Sequence, residues 1–405
     1  MRSIGFDVHK HFAEVAISEP GGKVRPGERI AATAAEIRAF AETLGPDDQV
    51  VLEATVNTWQ IADLLRVHAG RVVVSNPMKT RAIAEAKVKT DKVDVAVLAQ
   101  LLAADFIPEV WVPDEATRAL RRQVAHRASL VSQRTALRNR VHGILHRNLV
   151  EAPGTDIFGK AGRRWLEAAP LPADEVDQVR SALRLMDALE LEIEEVEKRL
   201  AGHALQDKDV RRLMTIPGVG LTTAVALVAV IGDVKRFPRP NQLVGYLGLD
   251  PKVRQSGGRP AYTGHISRQG QAHARGLLVE AAWIVVRSPG PLHAFYERLR
   301  ARKARTVALV AVARKLTVLS WHLLSKETDY QWAPARLVAD KMRQVELKAG
   351  YPRRPRGGAP RSDVTQDVQR EQERCILAQA EEAYRVLVAA RRIRGDTAAT
   401  TRGAS

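Results

Sequence analysis

Near the N-terminus lies Ile4-Gly5-Phe6-Asp7-Val8-His9-Lys10, an apolar run that ends on an acid. Residues 2–6 read as a strand that delivers Asp7 at its end. A second strand is predicted over 13–18, closed by the turn Glu19-Pro20-Gly21-Gly22, and a third over 28–33. Residues 34–44 place Ile37, Phe40, Ala41 and Leu44 on one helical face. Val50-Val51-Leu52 is another short buried strand, and it too ends on an acid, Glu53. A helix over 58–68 and a strand over 71–75, stopped by Asn76-Pro77, follow. A longer helix then carries Asp91 and Asp94 near its middle. Strands and helices that alternate in this way predict an α/β fold, a mixed sheet covered by helices.

A spacing of three puts Asp91 and Asp94 on one helix face, where their charges repel unless a cation or nearby bases offset them. If that face meets the two strand ends, four carboxylates make a hard, oxygen-rich site suited to Mg²⁺ or Mn²⁺. Two such ions can activate an attacking oxygen and stabilise the leaving one at a phosphodiester. The plainer alternative gives each acid a separate surface role.

The motifs Phe6-Asp7-Val8-His9-Lys10, Glu53-Ala54-Thr55 and Lys89-Thr90-Asp91-Lys92-Val93-Asp94 resemble the DEDD domain of the IS110-type transposases. That domain is RuvC-like, with the RNase H fold. The resemblance implies that Asp7, Glu53, Asp91 and Asp94 are the metal-binding catalytic acids of a domain spanning residues 1–113.

Residues 114–207 read as almost wholly helical. Arginines dominate the first half, and the second half turns acidic around Glu190 to Glu197. Leu185, Leu189, Ile193, Val196 and Leu200 recur at spacings of three and four. That suits a helical hairpin or coiled-coil linker with dimer contacts, or a solvated helix packed on its own domain.

A mainly α domain is expected over 208–327. In Ile216-Pro217-Gly218-Val219-Gly220, a tight turn before a helix is a helix-hairpin-helix signal. Backbone N–H groups at Gly218 and Gly220 could face a phosphate there, although a plain interhelical turn has the same sequence cues. The run 216–282, with Gly245-Tyr246-Leu247-Gly248-Leu249-Asp250-Pro251, Ser256-Gly257-Gly258 and Gly264-His265-Ile266-Ser267-Arg268-Gln269-Gly270, resembles the C-terminal transposase domain of the same family. The resemblance implies that Ser267 is the nucleophile, with Arg268 where the family usually has lysine. His273-Ala274-Arg275-Gly276 stands where the family has Leu-Arg. Read from the residues alone, Ser267 would cap a helix over 269–286; Ser256, in a glycine-rich turn with a conformational look, is the rival serine for the nucleophile. His265 is the nearest candidate base. Lys252, Arg254, Arg259 and Arg268 make the segment basic enough to neutralise phosphate. Tyr262 can stack on bases, whereas Tyr246 and Trp283 sit in apolar helical context. A basic tail, partly disordered, is expected over 328–405, with a further helix over 371–392.

Sixty-three Lys and Arg against 46 Asp and Glu leave a formal charge of +17 over 405 residues, which calls for a polyanionic partner. One cysteine, Cys375, excludes an intramolecular disulfide framework and fits a reducing cytoplasm. The most apolar stretch, 307–324, carries Arg314 and Lys315, which reads as a buried helix with a basic face and not a membrane span. The resemblance implies a transposase acting on donor and target DNA, with a guide (bridge) RNA, as a homodimer or homotetramer. Two other readings remain: a metal-dependent nuclease or junction resolvase using activated water, and a non-catalytic nucleic-acid-binding scaffold.

Overall fold

The computed structural model describes residues 1–84, 90–256, 261–353 and 363–402. Lys89, Gly257, Gly258 and Arg259, singled out above, lie outside them, as do Arg354, Arg356 and Arg361 of the basic tail. The chain divides into two units, Met1–Asp114 and Glu115–Ser405.

In the first unit, β1 (Ser3–Val8) pairs antiparallel with β2 (Phe12–Ser18), which pairs antiparallel with β3 (Val24–Ala31). On its other side β1 runs parallel to β4 (Gln49–Glu53), and β4 to β5 (Arg71–Ser75). The order β3-β2-β1-β4-β5 is the expected mixed sheet and is consistent with an RNase H-like domain. The third strand starts earlier than predicted and contains Pro26, which an edge strand beside a register shift at Glu14/Ala16 tolerates. Thr33, expected in that strand, instead caps α1 (Ala34–Glu42) by accepting from Glu36 N.

Side chains alternate across the sheet as a period of two requires. Ile4, Phe6, Val8, Val50 and Leu52 pack with α1 and with α2 (Thr58–Leu65). Val51 and Val73 face the other way, onto Leu98 and Leu102. The helix there is shorter than predicted. Asn76-Pro77 opens α3 (Pro77–Ile83), and a separate α4 (Asp91–Ala103) begins after Thr90. Asp91 and Asp94 therefore sit in the first turn of α4 and not near the middle of a long helix. A Thr90 cap ends any continuation backwards, because its side chain accepts from Val93 N at 3.3 Å.

The second unit is mostly helical. Its longest antiparallel pair is α5 (Glu115–Arg147) and α7 (Ala173–Gln206), with α6 (Lys160–Glu167) in the connection. Arginines of α5 meet acids of α7: Arg127 with Glu197, Arg134 with Glu190, and Arg147 with Glu175 at 2.6 Å. Ile193, Val196 and Leu200 of the expected stripe are buried, while Leu185 is half exposed.

Beyond them lie α8 (Lys208–Met214), α9 (Leu221–Ile231) and α10 (Pro240–Tyr246). The hairpin β6 (Pro251–Arg254) and β7 (Tyr262–Ile266) leads into α11 (Ala272–Val285). The remaining helices are α12 (Pro291–Arg300), α13 (Arg305–Lys326), α14 (Ala335–Lys348) and α15 (Asp363–Arg402). By length and composition α13 could cross a membrane, but half of its most apolar stretch is buried in this unit. Arg314 and Lys315 stay exposed on its outer face.

Candidate functional site

Asp7 and Glu53 end neighbouring parallel strands. Phe6 pairs with Leu52, so the two acids follow in register, on the face that carries α4. Gly5 explains how closely that helix lies. A Cβ there would stand 2.2 Å from Val95 O, so only glycine admits the helix onto β1. Close approach at Val95 brings the first turn of α4 over the end of the strand. Asp7, Glu53 and Asp94 line one cleft of about 580 Å³, with Thr80 and Arg81 on its wall. The helix N-terminus favours the two aspartates of its first turn.

Asp91 reaches the cluster through a residue that the sequence reading left without a role. His9 Nε2 lies 3.2 Å from Asp7 Oδ2 and 3.3 Å from Asp91 Oδ2. It is buried and aligned for a full hydrogen bond with neither. The ring is held by Phe12, centroid to centroid at 4.6 Å. Burial pushes the Asp7 carboxyl up from its ordinary value; His9 opposes this, while Asp91 and Asp94 add to it. Donor atoms, one each from Asp7, His9 and Asp91, lie within 4.8 Å of one another, a grouping able to hold a metal ion. An orphaned ring nitrogen between two carboxylates, one of them destabilised by its neighbours, fits a divalent cation in chemistry and in charge.

Ser267 lies in the loop between β7 and α11. It does not cap that helix, which begins at Ala272 with Gln271 in the cap position. Its Oγ donates to Asp250 Oδ1 at 2.6 Å, and its N–H to Asp250 O at 2.8 Å. The partner is thus Asp250 and not the exposed His265. Two glycines let the loops 246–250 and 266–271 press together. Gly248 has φ +68° and a Cβ there would lie 2.0 Å from Gln269 O; Gly270 has φ +84° and its Cβ would lie 2.2 Å from Tyr246 O. Arg268 is left-handed, with φ +57°, and its N–H donates to Gly248 O. Arg275 Nη1 donates to Leu247 O at 3.0 Å, so the arginine of the altered Leu-Arg position ties the helix to the same loop. A groove of about 420 Å³ beside the serine is lined by Lys252, Arg254, Tyr262, His265 and Arg268. Ser256 is exposed beyond the end of β6.

The turn between α8 and α9 uses its glycines differently. Gly218 has φ +79°, and a Cβ there would meet Ala281 O at 2.6 Å, so it serves close packing on α11. Gly220 has open space where a Cβ would be and stands at the start of α9. Lys341 Nζ, from α14, donates to the carbonyls of Met214, Ile216 and Val219 at 2.7–2.9 Å. Burial pushes this amine down to about 8. Arg236 lies 4.4 Å from the centroid of the Tyr246 ring and Arg305 4.5 Å from that of Trp283, whereas Tyr262 is 71% exposed.

The carboxylate cleft belongs to the first unit and the serine loop to the second. Residues 4–148 match the DEDD transposase domain model of IS110 elements, and residues 210–297 match the model described as "Transposase IS116/IS110/IS902 family". A putative transposase, y4qE, of Sinorhizobium fredii is 30% identical over 351 residues, covering 78% of this chain and 87% of the relative. The transposase for insertion sequence element IS1111A of Coxiella burnetii is 28% identical over 257 residues, covering 60% and 68%. The pilin gene-inverting protein of Moraxella lacunata is 26% identical over 295 residues, covering 69% and 81%. The family's DEDD domain implies use of a divalent metal, and the acids gathered at the end of β1 form a group able to hold one. Both domain models fall in order along one chain, and its relatives move or invert DNA: the protein belongs to the IS110 family of transposases, the enzymes that recombine the DNA of insertion sequences.

Proposed function

We propose that this transposase cuts and rejoins DNA through a covalent bond between Ser267 and a phosphodiester, with Asp7, Glu53, Asp91 and Asp94 holding Mg²⁺ or Mn²⁺. The observation that carries this reading is the placement of Ser267: it lines a basic groove, and its hydroxyl hydrogen-bonds the Asp250 carboxylate. Lys252, Arg254 and Arg268 would neutralise the phosphate there, and Tyr262 would stack on a base. His9 joins the acids as a nitrogen donor. When bound, the metal supplies charge neutralisation and oxygen activation at the phosphodiester. The turn at Gly218–Gly220 acts as a helix-hairpin-helix contact to the DNA backbone, with Gly220 the open position.

Sequence choice lies with a structured guide RNA, as the family resemblance implies, and the protein reads backbone and shape. The working assembly is a homodimer or homotetramer in the cytoplasm.

The test incubates the full chain with its RNA, both DNAs and Mg²⁺, then looks for DNA bound covalently to protein. Ser267→Ala should lose the adduct and keep DNA binding. Cleavage that survives the substitution would favour an activated-water nuclease instead. An adduct formed equally well without RNA would remove the guide from the scheme.

A further inference from the structure

We propose that Asp250 is the proton acceptor for Ser267 and also aims its oxygen, an assignment that rests on the serine reading above. A serine hydroxyl is a poor nucleophile until a base lies within reach. Here the reach is 2.6 Å, from Oγ to Asp250 Oδ1. A carboxylate at that distance orients the hydroxyl in the ground state and can accept its proton as the new bond forms.

The pairing is built into the backbone. Ser267 N–H donates to the carbonyl of the same aspartate at 2.8 Å, so the two residues are fixed at two points. Around them, Arg268 N–H donates to Gly248 O, and Arg275 Nη1 to Leu247 O. Gly248 and Gly270, both at positive φ, allow the carbonyls of Gln269 and Tyr246 to approach more closely than any side chain would permit. Arg268, next to the serine, holds a left-handed conformation that costs a non-glycine residue energy and marks a constrained loop. Such constraint has a use if the serine must present its oxygen in one direction. The oxygen stands on the wall of the basic groove, where a phosphodiester would bring the reacting phosphorus.

The step balances without a further reagent. The Oγ–H bond breaks and its proton passes to Asp250 Oδ1. The freed electron pair forms an Oγ–P bond, and one P–O bond to a sugar breaks. Water protonates the departing sugar oxygen, and the hydroxide so formed is neutralised by the proton that Asp250 later sheds. In rejoining, a sugar hydroxyl attacks phosphorus and gives up its proton to water, the Oγ–P bond breaks, and the proton, carried back by water to the Asp250 carboxylate, restores the Oγ–H bond. The number of phosphodiester-type bonds is conserved, so no nucleotide and no oxidant enters.

The experiment measures the rate of covalent adduct formation by the full chain with element-end DNA duplex, guide RNA and Mg²⁺. It compares wild type, Asp250→Asn, Asp250→Ala and Ser267→Ala. Asparagine keeps an oxygen acceptor for the serine hydroxyl but cannot take its proton. Asp250→Asn is therefore expected to form adduct about 10²- to 10⁴-fold more slowly, with DNA affinity and melting temperature unchanged. Asp250→Ala should be as slow and should recover rate as formate or acetate is added, because a free carboxylate can occupy the vacated place. Wild-type rates in Asp250→Asn overturn the proton-acceptor role, and reduce the residue to aiming if Asp250→Ala alone is slow. Slow variants with no rescue by carboxylate also overturn it, since a distorted loop gives the same loss. Adduct or cleavage that persists in Ser267→Ala fails at the earlier step: the serine reading falls, and the role of Asp250 with it.

Discussion

Asp7 carries a charge that its own surroundings resist. Burial raises its carboxyl, and Asp91 and Asp94 raise it further. A carboxyl raised in the folded state costs stability as pH climbs from the unfolded value through the folded one, so the metal-free unit bears more of this cost at neutral pH than in acid. Asp7→Asn should therefore raise the melting temperature of metal-free protein, by about 5 °C if the relief is about 1 kcal/mol. Mn²⁺ should stabilise the wild type and stabilise the variant much less. A thermal melt in chelator and then in Mn²⁺ reads both changes; a variant that melts lower in chelator speaks against the destabilised charge. Individual acids were legible because strand ends and a spacing of three are local patterns. His9 and Asp250 were not. His9 matters only because the end of β1 turns it toward α4, and Asp250 only because a hairpin returns the chain to it seventeen residues later.

Elements show the same division. The strands of the first unit follow apolar runs and were legible to within a few residues, except β3, whose edge position tolerates a proline that argues against a strand. Splitting the predicted long helix into α3 and α4 turns on the Thr90 cap, visible as a threonine three residues before Val93 but outweighed by the apolar run around it. In the second unit, the basic and acidic halves of the middle region suited a helical hairpin or coiled-coil linker, or else a solvated helix. They are largely one ion-paired seam between α5 and α7. Glu197 shows its strength. Burial pulls its carboxyl up, but Lys348 and Arg127 outweigh burial and hold it below its ordinary value of 4.5. Stability from such a group is fully present above that value and is lost as pH falls through the folded one. Glu197→Gln should lower stability at neutral pH by about 1–2 kcal/mol. It should also leave a shallower decline below about pH 4.5 in denaturant titrations. An acid limb as steep as that of the wild type would mean the seam contributes nothing there. The hairpin β6–β7 makes a different prediction. Replacing Lys252 and Arg254 together with alanine should weaken DNA binding about equally for all sequences, and lower the slope of log affinity against log salt by about 2. A loss confined to one sequence would show base reading and not phosphate contact.

At the scale of the whole molecule, the excess charge of +17 overstates what is free to meet nucleic acid along the middle helices, because many of those arginines are tied to glutamates. Among the described residues, the groove beside Ser267 is lined by bases and by no acid, which is where a polyanion would be wanted. The placement of the two chemical groups along the chain has a further consequence, in the time of synthesis. All four acids lie between residues 7 and 94, and the last strand and helix that frame them are complete by residue 103. The serine is the 267th residue. At about 5–20 residues per second, roughly ten to thirty seconds separate the two on the ribosome. On the proposed reading, a nascent chain can gather its acids during that interval while the serine is still to come, so a stalled or truncated product would carry the proposed metal site without the group proposed to join it to DNA.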